Sequence, residues 1–517
     1  MKKPYWADLH NHNAVGYGKG SLDRSYAIAR GALLDAYCFT PHGHWHDLPQ
    51  NDHRMVEYHR KGFERVRQAW PEVKQKAEAE YRPGSFVTFF GYEWHSSEFG
   101  DYHLLFTDPR VDLVQASKLE EMADHVRRNG GIMVPHHVGY RTGWRGANWP
   151  ALPADVVPLV DVFSEHGCSM ESESHWPMLR HSMGGVDRSQ TVIRQLEQGL
   201  VTGLTASTDN HHGHPACCGE GLTGIWADAR TRETVFDAFR RRHTFAVTGD
   251  RIGLTLALGD SMMGDVVPAG TPRELRYAAD ACGAIDSVRV LKNGRIAHAA
   301  ELPGPGSDGP DFVARLSFGW DAMTSAQTTV WRIRVSIAGG ELQDVLPAFA
   351  GGAGSVERVN AVESIAAGGT TIAAFTARGN SRPVSEVVLR VGGDAATRIR
   401  VDVNTERAGE EGECRLDTEL GTLLERDAWA AVSDVFSAPR IRLGQLHACG
   451  ETRLEGEWLD GEPAEGDWYL LRVQQRNGHI AWSSPIWCRE EPTWFAPPPR
   501  EDRKQTETQE GGAADER

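Results

Sequence analysis

Short apolar runs alternate with longer amphipathic stretches through the first half of the chain. Tyr5 to His10 reads as a strand, and Ser21 to Leu34 as a helix with Ser21 as its N-cap. Ala36 to Thr40 has the composition of a buried strand and delivers Pro41-His42-Gly43-His44. Asp52 to Tyr81 is charged and amphipathic, a helical region that Pro71 should interrupt. Phe86 to Phe90 and Tyr102 to Phe106 read as strands, and Lys118 to Asn129 as a helix closing on Gly130-Gly131. Ile132 to Val134, Leu159 to Phe163 and Leu204 to Ala206 are further short strands, with a helix over Thr191 to Gln198. Leu222 to Ala227 reads as a closing strand before a helix from about Arg232 to Arg241. Strand and helix in alternation predict βα units.

From about Thr248 the pattern changes. Gly, Thr and Val become frequent and short alternating runs replace the helices, among them Gly253 to Leu258, Thr328 to Ile337, Glu386 to Val391 and Trp468 to Gln474. Such runs, separated by turn residues, predict an antiparallel sandwich. Gly351 to Gly354 and Ala366 to Gly369 mark loops within it. The tail from Glu491 is too poor in apolar side chains to offset the entropy of ordering and is expected to be disordered. The expected organisation is a first domain over 1–250, a β-rich domain over 251–490 and a tail over 491–517.

Composition narrows the picture. At 517 residues the chain exceeds the usual size of a single core. A formal charge of -16 argues against a general binder of nucleic acid or of acidic membranes. No apolar run is long enough to span a membrane, and because Met1 to Trp6 leads straight into the first motif, no cleaved leader is expected. The eight cysteines are scattered without a C-x-x-C pair, so reduced thiols and a cytoplasmic setting are expected. Histidine is the uneven residue: 18 of 22 lie between His10 and His214.

The chemistry concentrates at the ends of the apolar runs. In Asp8-Leu9-His10-Asn11-His12, alternate side chains of an extended segment share one side, so both imidazoles can reach one ion. Glu93, His136, His166 and the pair Asp209 and His211 each follow a later run. Ligand-type residues at successive strand ends are the pattern of a catalytic metal centre. Around them, His103 is placed to contact substrate or orient a ligand, and His137 is an alternative to His136. His44, Arg141, Trp144 and Arg145 supply cations and rings for recognising an anion or an aromatic group. Cys168, Cys217 and Cys218 read as small packing residues.

The set His10-x-His12, His42, Glu93, His136, His166 and Asp209-x-His211, in this order, resembles the polymerase and histidinol phosphatase superfamily of metallohydrolases. Within it, Gly91-Tyr92-Glu93-Trp94, Ser164-Glu165-His166-Gly167 and Ser207 to Pro215 are most similar to the carbaryl hydrolase branch of CehA/McbA type. The resemblance implies an α/β fold, a distorted (β/α)7 TIM-like barrel followed by an antiparallel β-sandwich-like domain. It also implies two or three divalent ions, Zn, Mn or Fe. His10, His12, Glu93 and Asp209 would hold the first, and Glu93 would bridge to a second held by His136 and His166. His42 and His211 would hold a third. One departure stands out: the family has Thr-Asp-His where this chain has Thr40-Pro41-His42, and only Asp23 offers itself for the family's further ligand after the first motif.

The expected activity is hydrolysis of a small-molecule ester by a metal-bridging hydroxide, on a phosphoester or a carboxyl or carbamate ester. Glu93, His103 and Asp209 are the candidate catalytic residues. Few Lys or Arg stand near the strand ends, chiefly Lys19, Arg24, Arg141 and Arg145, a thin supply for a phosphoryl group. The alternative is an inactive barrel carrying a carbohydrate- or partner-binding sandwich.

Overall fold

The computed structural model describes residues 3–179, 185–302, 311–320, 328–352, 357–377, 382–435 and 438–490. The expected tail and the end of the 351–354 loop lie outside these residues. The first half runs β1 (Tyr5–Asp8), α1 (Leu22–Gly31), β2 (Ala36–Tyr37), β3 (His42–Trp45), α2 (His53–Glu80), β4 (Val87–Thr88), β5 (Phe90–His95), β6 (Tyr102–Phe106), α3 (Leu119–Arg128) and β7 (Ile132–Pro135). It continues with β8 (Leu159–Asp161), β9 (Phe163–Ser164), β10 (Gly167–Cys168), α4 (Val192–Glu197), β11 (Gly203–Thr205), β12 (Leu222–Ile225), α5 (Arg232–Arg240) and β13 (Thr244–Val247).

Ser21 caps α1 by accepting from the Arg24 N–H at 3.2 Å, as its position predicts. Pro71, expected to break the second helix, instead sits inside the unbroken α2. Burial of Val66, Trp70, Val73 and Ala77 on one face, on both sides of the proline, offsets the single hydrogen bond it removes.

The strands do not close into the expected (β/α)7 barrel. They fall into four separate sheets. β1, β2 and β4 are parallel neighbours, but β1 pairs antiparallel with β12, and β12 with β13. β3 and β5 are parallel, whereas β5, β6 and β7 run antiparallel in succession. β8 pairs with β11 and β9 with β10 in two small ribbons. Only the six residues 96–101 join β5 to β6, too few for the helical crossover that a parallel pair requires. A hairpin-like return is the accessible alternative. The α/β barrel expectation is therefore replaced by a strand-dominated fold of several small sheets.

The sheet containing β1 also crosses position 250. β13 pairs antiparallel with Ile480–Ser483, which continues to Trp468–Gln475 and Ile486–Cys488, so strands from both ends of the described chain share one eleven-stranded sheet. Between them stand two five-stranded antiparallel sheets. In Thr329–Ala338, buried Trp331, Ile333, Val335 and Ile337 alternate with outward Arg332, Arg334 and Ser336. Trp331 meets Phe318 of the facing sheet at 5.4 Å between ring centroids. No helix among the described residues is long and apolar enough to cross a membrane.

Candidate metal centre

Although the barrel is absent, the ends of its would-be strands meet. Backbone bonds sew the segment after β1 to the segment after β11: Asp209 N–H donates to His10 O at 2.8 Å, His12 N–H to Asn210 O at 3.0 Å and Gly213 N–H to His12 O at 2.9 Å. Buried Asp8 staples the same junction, accepting from the Thr208 hydroxyl at 2.7 Å and from the Thr208 and Ala216 N–H groups at 3.1 Å. Asp209 is held in the left-handed region at φ 52°, a conformation that costs an L-residue about 1 kcal/mol or more and that these bonds impose.

All eight ligand candidates come together. His10 Nε2 and His12 Nε2 lie 3.2 and 3.1 Å from Asp209 Oδ1, and His166 Nε2 lies 3.5 Å from Oδ2. Glu93 is shared in the same way: Oε2 is 3.4 Å from both His12 Nε2 and His42 Nε2, and Oε1 is 3.1 Å from His136 Nε2. His211 Nε2 is 3.2 Å from His42 Nε2. Two donors on one tetrahedral ion at about 2.0–2.1 Å stand roughly 3.3 Å apart, so these separations fit ligands of common ions.

Electrostatics agrees with that fit. Burial, reinforced by neighbouring imidazoles, depresses His12, His42 and His136 well below the ordinary histidine range, which leaves neutral rings with a lone pair to offer. Burial, with Asp101 and Asp209 adding to it, pushes the Glu93 carboxyl well above its usual range. Burial also works against the Asp209 carboxylate, but His10, His12 and His166 outweigh it and hold Asp209 low. Glu93 Oε2, His10 Nε2 and both ring nitrogens of His136 are buried without a hydrogen-bond partner among the described residues. Orphaned donors around penalised carboxylates are what a pair of cations would relieve.

The surrounding candidates are placed less uniformly. His103 stacks on His10 at 4.6 Å and is wholly buried, and one of its ring nitrogens lies within 4.8 Å of ligand nitrogens of His10 and His136. Arg145 faces inward but is committed to Asp101, donating from Nε at 2.6 Å, and to His95 Nδ1 at 3.1 Å. Trp144 and Arg141 are exposed, and no contact joins them to the cluster among the described residues. A register shift between His42 and His44 turns His44 aside to the edge of Phe63, 6.5 Å between centroids. Asp23 points outward to Lys76, away from the cluster.

Sequence reasoning gave no role to five neighbours, although it placed Glu165 beside His166 at the end of the 159–163 run. His95 Nδ1 lies 3.1 Å from Glu93 Oε1 and 3.2 Å from Asp101 Oδ2; its spacing two residues after Glu93 on β5 was the available signal. Asp101 also receives His137 Nε2 at 3.3 Å, so His137 serves that carboxylate while His136 takes the place beside Glu93. Tyr17 stacks on His42 at 3.7 Å, where the family's further ligand was sought. Glu165 Oε1 lies 3.3 Å from His211 Nδ1, and Thr40 Oγ1 lies 2.6 Å from His10 Nδ1. The partly exposed side chains of Glu165 and His211 mark the open side of the cluster.

Comparison with known proteins adds little to this geometry. A family model described as a protein of unknown function (DUF3604) matches residues 46–105 and 190–281, which include Glu93, His95, His103, Asp209 and His211 but not His10, His12, His136 or His166. No curated protein matches the chain. Among solved structures, the C-terminal domain of the Streptococcus agalactiae AgI/II polypeptide BspA is similar at 12% identity over 38% of this chain and 57% of that chain, with a TM-score of 0.09. A second, BspA_C_WT, is similar at 9% identity over 39% and 60% of the two chains, also at 0.09. Likeness at that level carries no argument about fold or function.

Proposed function

We propose that this protein is a metal-dependent hydrolase of small-molecule esters, and that it prefers carboxyl or carbamate esters to phosphoesters. The observation that carries the reading is the convergence of five imidazoles, His10, His12, His42, His136 and His166, on Glu93 and Asp209 at ligand-to-ligand spacing, with His211 against His42. The likeness of this ligand order to the polymerase and histidinol phosphatase superfamily supports it, and the reading does not depend on a barrel.

His10, His12, Glu93 and Asp209 would hold one ion, and His136 and His166 with the second oxygens of the two carboxylates another. Divalent ions held there supply a nucleophile at neutral pH and polarise the oxygen of the bond to be cleaved. His42 and His211 border the open side, where a third ion or a substrate oxygen fits. His95 lies between Glu93 and Asp101, and His103 stacks on His10. Glu165, on the open side, can exchange a proton with His211 across the 3.3 Å between them.

Substrate preference follows from how the arginines are used. Arg145 is neutralised by Asp101, and Arg24 spends its guanidinium on the carbonyls of His212 at 2.7 Å, Gly213 at 3.1 Å and Arg358 at 2.6 Å. A phosphoryl group keeps its charge throughout reaction and is held by free guanidinium or ammonium groups in addition to metal ions. A neutral ester needs no such groups. We place the protein in the cytoplasm, in keeping with its scattered cysteines.

The test is a substrate panel with Mn or Zn added: p-nitrophenyl acetate and 1-naphthyl methylcarbamate against p-nitrophenyl phosphate and bis-p-nitrophenyl phosphate. Turnover of the first two above the second two is expected. Selective phosphoesterase activity would overturn the preference, and no metal-dependent turnover of any would overturn the hydrolase reading.

A further inference from the structure

We propose that Tyr140 is a positioning residue for the metal centre, whose hydroxyl holds His166 in the Nδ1–H form and so reserves Nε2 for an ion. The inference rests on the metal-centre reading above.

Three hydrogen bonds close a ring. The Leu179 N–H donates to His166 O at 2.8 Å, the Tyr140 hydroxyl donates to Leu179 O at 3.1 Å, and His166 Nδ1 lies 3.0 Å from Tyr140 Oη. A phenol has one proton to give, and a carbonyl can only accept. With that proton spent on Leu179 O, Tyr140 Oη faces His166 as an acceptor, and Nδ1 must carry the ring hydrogen. The unshared pair then sits on Nε2, the nitrogen 3.5 Å from Asp209 Oδ2. A hydrogen-bond partner on the far nitrogen is the general means of fixing which nitrogen binds a metal and how the ring is aimed.

The ring also anchors the segment that follows β10. Cys168 N–H donates to Trp176 O at 2.9 Å, and Trp176 Nε1 donates to Gly478 O at 2.8 Å. Leu179 thus reaches Tyr140 from a segment already tied to the eleven-stranded sheet. The carbonyl that takes the Tyr140 proton thus belongs to a segment held by backbone and indole hydrogen bonds.

The experiment is Zn2+ titration of the full-length chain against a competing chelator, for the wild type, His166→Ala and Tyr140→Phe, with a thermal melt of each. Expected is uptake of two ions by the wild type, loss of one in His166→Ala, and a 10- to 100-fold weaker affinity for one ion only in Tyr140→Phe. Equal affinities in Tyr140→Phe and wild type would overturn the role of Tyr140 while leaving the metal centre standing. A wild type that takes up no ion would overturn the metal centre itself. Should Tyr140→Phe fail to fold, long-range nitrogen NMR of histidine in the Zn-loaded wild type decides: a proton on His166 Nδ1 supports the proposal, and a proton on Nε2 overturns it.

Discussion

Glu93 Oε1 lies 3.1 Å from His136 Nε2, while the other oxygen of the same carboxylate turns to His12 and His42. One side chain therefore faces two groups of donors, as a ligand shared by two ions must. Replacing one oxygen by an amide nitrogen, which donates instead of accepting, should disturb both groups at once. Glu93→Gln is expected to lower metal content below two ions per chain and kcat by more than roughly 100-fold, beyond the usual effect of an outer partner. Elemental analysis with an esterase assay checks it.

His103 makes a contrasting case. Its ring is wholly buried and stacked on His10, and no carboxylate contacts it among the described residues. His103→Phe preserves the stacked ring while removing both nitrogens, and should leave metal content unchanged and kcat within about 10-fold of the wild type. A larger loss of kcat with metal retained would show that His103 takes part in the chemistry.

How much of this was legible in the sequence depends on the range of the information needed. His10, His12 and Asp209 could be found because they closely follow short apolar strands, which is a local signal; Glu93 follows the apolar run 86–90 in the sequence but lies inside β5. The barrel could not be read in the same way. Strand direction is set by connection length and by partners far along the chain, and the six-residue link between β5 and β6, and the arrival of Ile480–Ser483 beside β13, decide it. Asp101 and Tyr140 were invisible for a related reason. Each works through residues tens of positions away, Arg145 and His166, and carries no spacing that marks it.

Asp250 and Arg315 test what joins the first half to the downstream sheets. Their ion pair at 2.6 Å is almost entirely buried, and Gln475 and Asn477 each donate to the same carboxylate at 2.8 Å. Burial opposes the charged form of Asp250, yet Arg315 overrides it and holds the carboxyl far below its usual range. Asp250→Asn leaves the buried guanidinium with Glu386, 3.0 Å from its Nη1, as its remaining counter-charge and should cost about 3 kcal/mol, read as a lower urea midpoint. A shift under about 1 kcal/mol would mean that water or Glu386 compensates.

His479, beside that pair, sets a pH dependence. Burial, with Arg382 and Arg315 adding and Asp250 opposing, lowers it to about 4. Its folded value thus lies below the ordinary value of about 6.5, so the unfolded chain binds the proton first as pH falls. The stability it contributes is full above about pH 6.5 and is lost as pH drops through about 4. His479→Gln should flatten the fall of the urea midpoint across that window relative to the wild type. An unchanged slope would place the acid sensitivity elsewhere.

The central claim is that imidazoles and carboxylates from both ends of the first 211 residues cage at least two divalent ions. Its most direct test is metal per chain, measured by elemental analysis after equilibrium dialysis of the full-length protein against Mn or Zn. The wild type should hold about two ions or more, and His10→Ala and Asp209→Ala should each lose them together with activity. A wild type that emerges from metal-replete dialysis with none would contradict it.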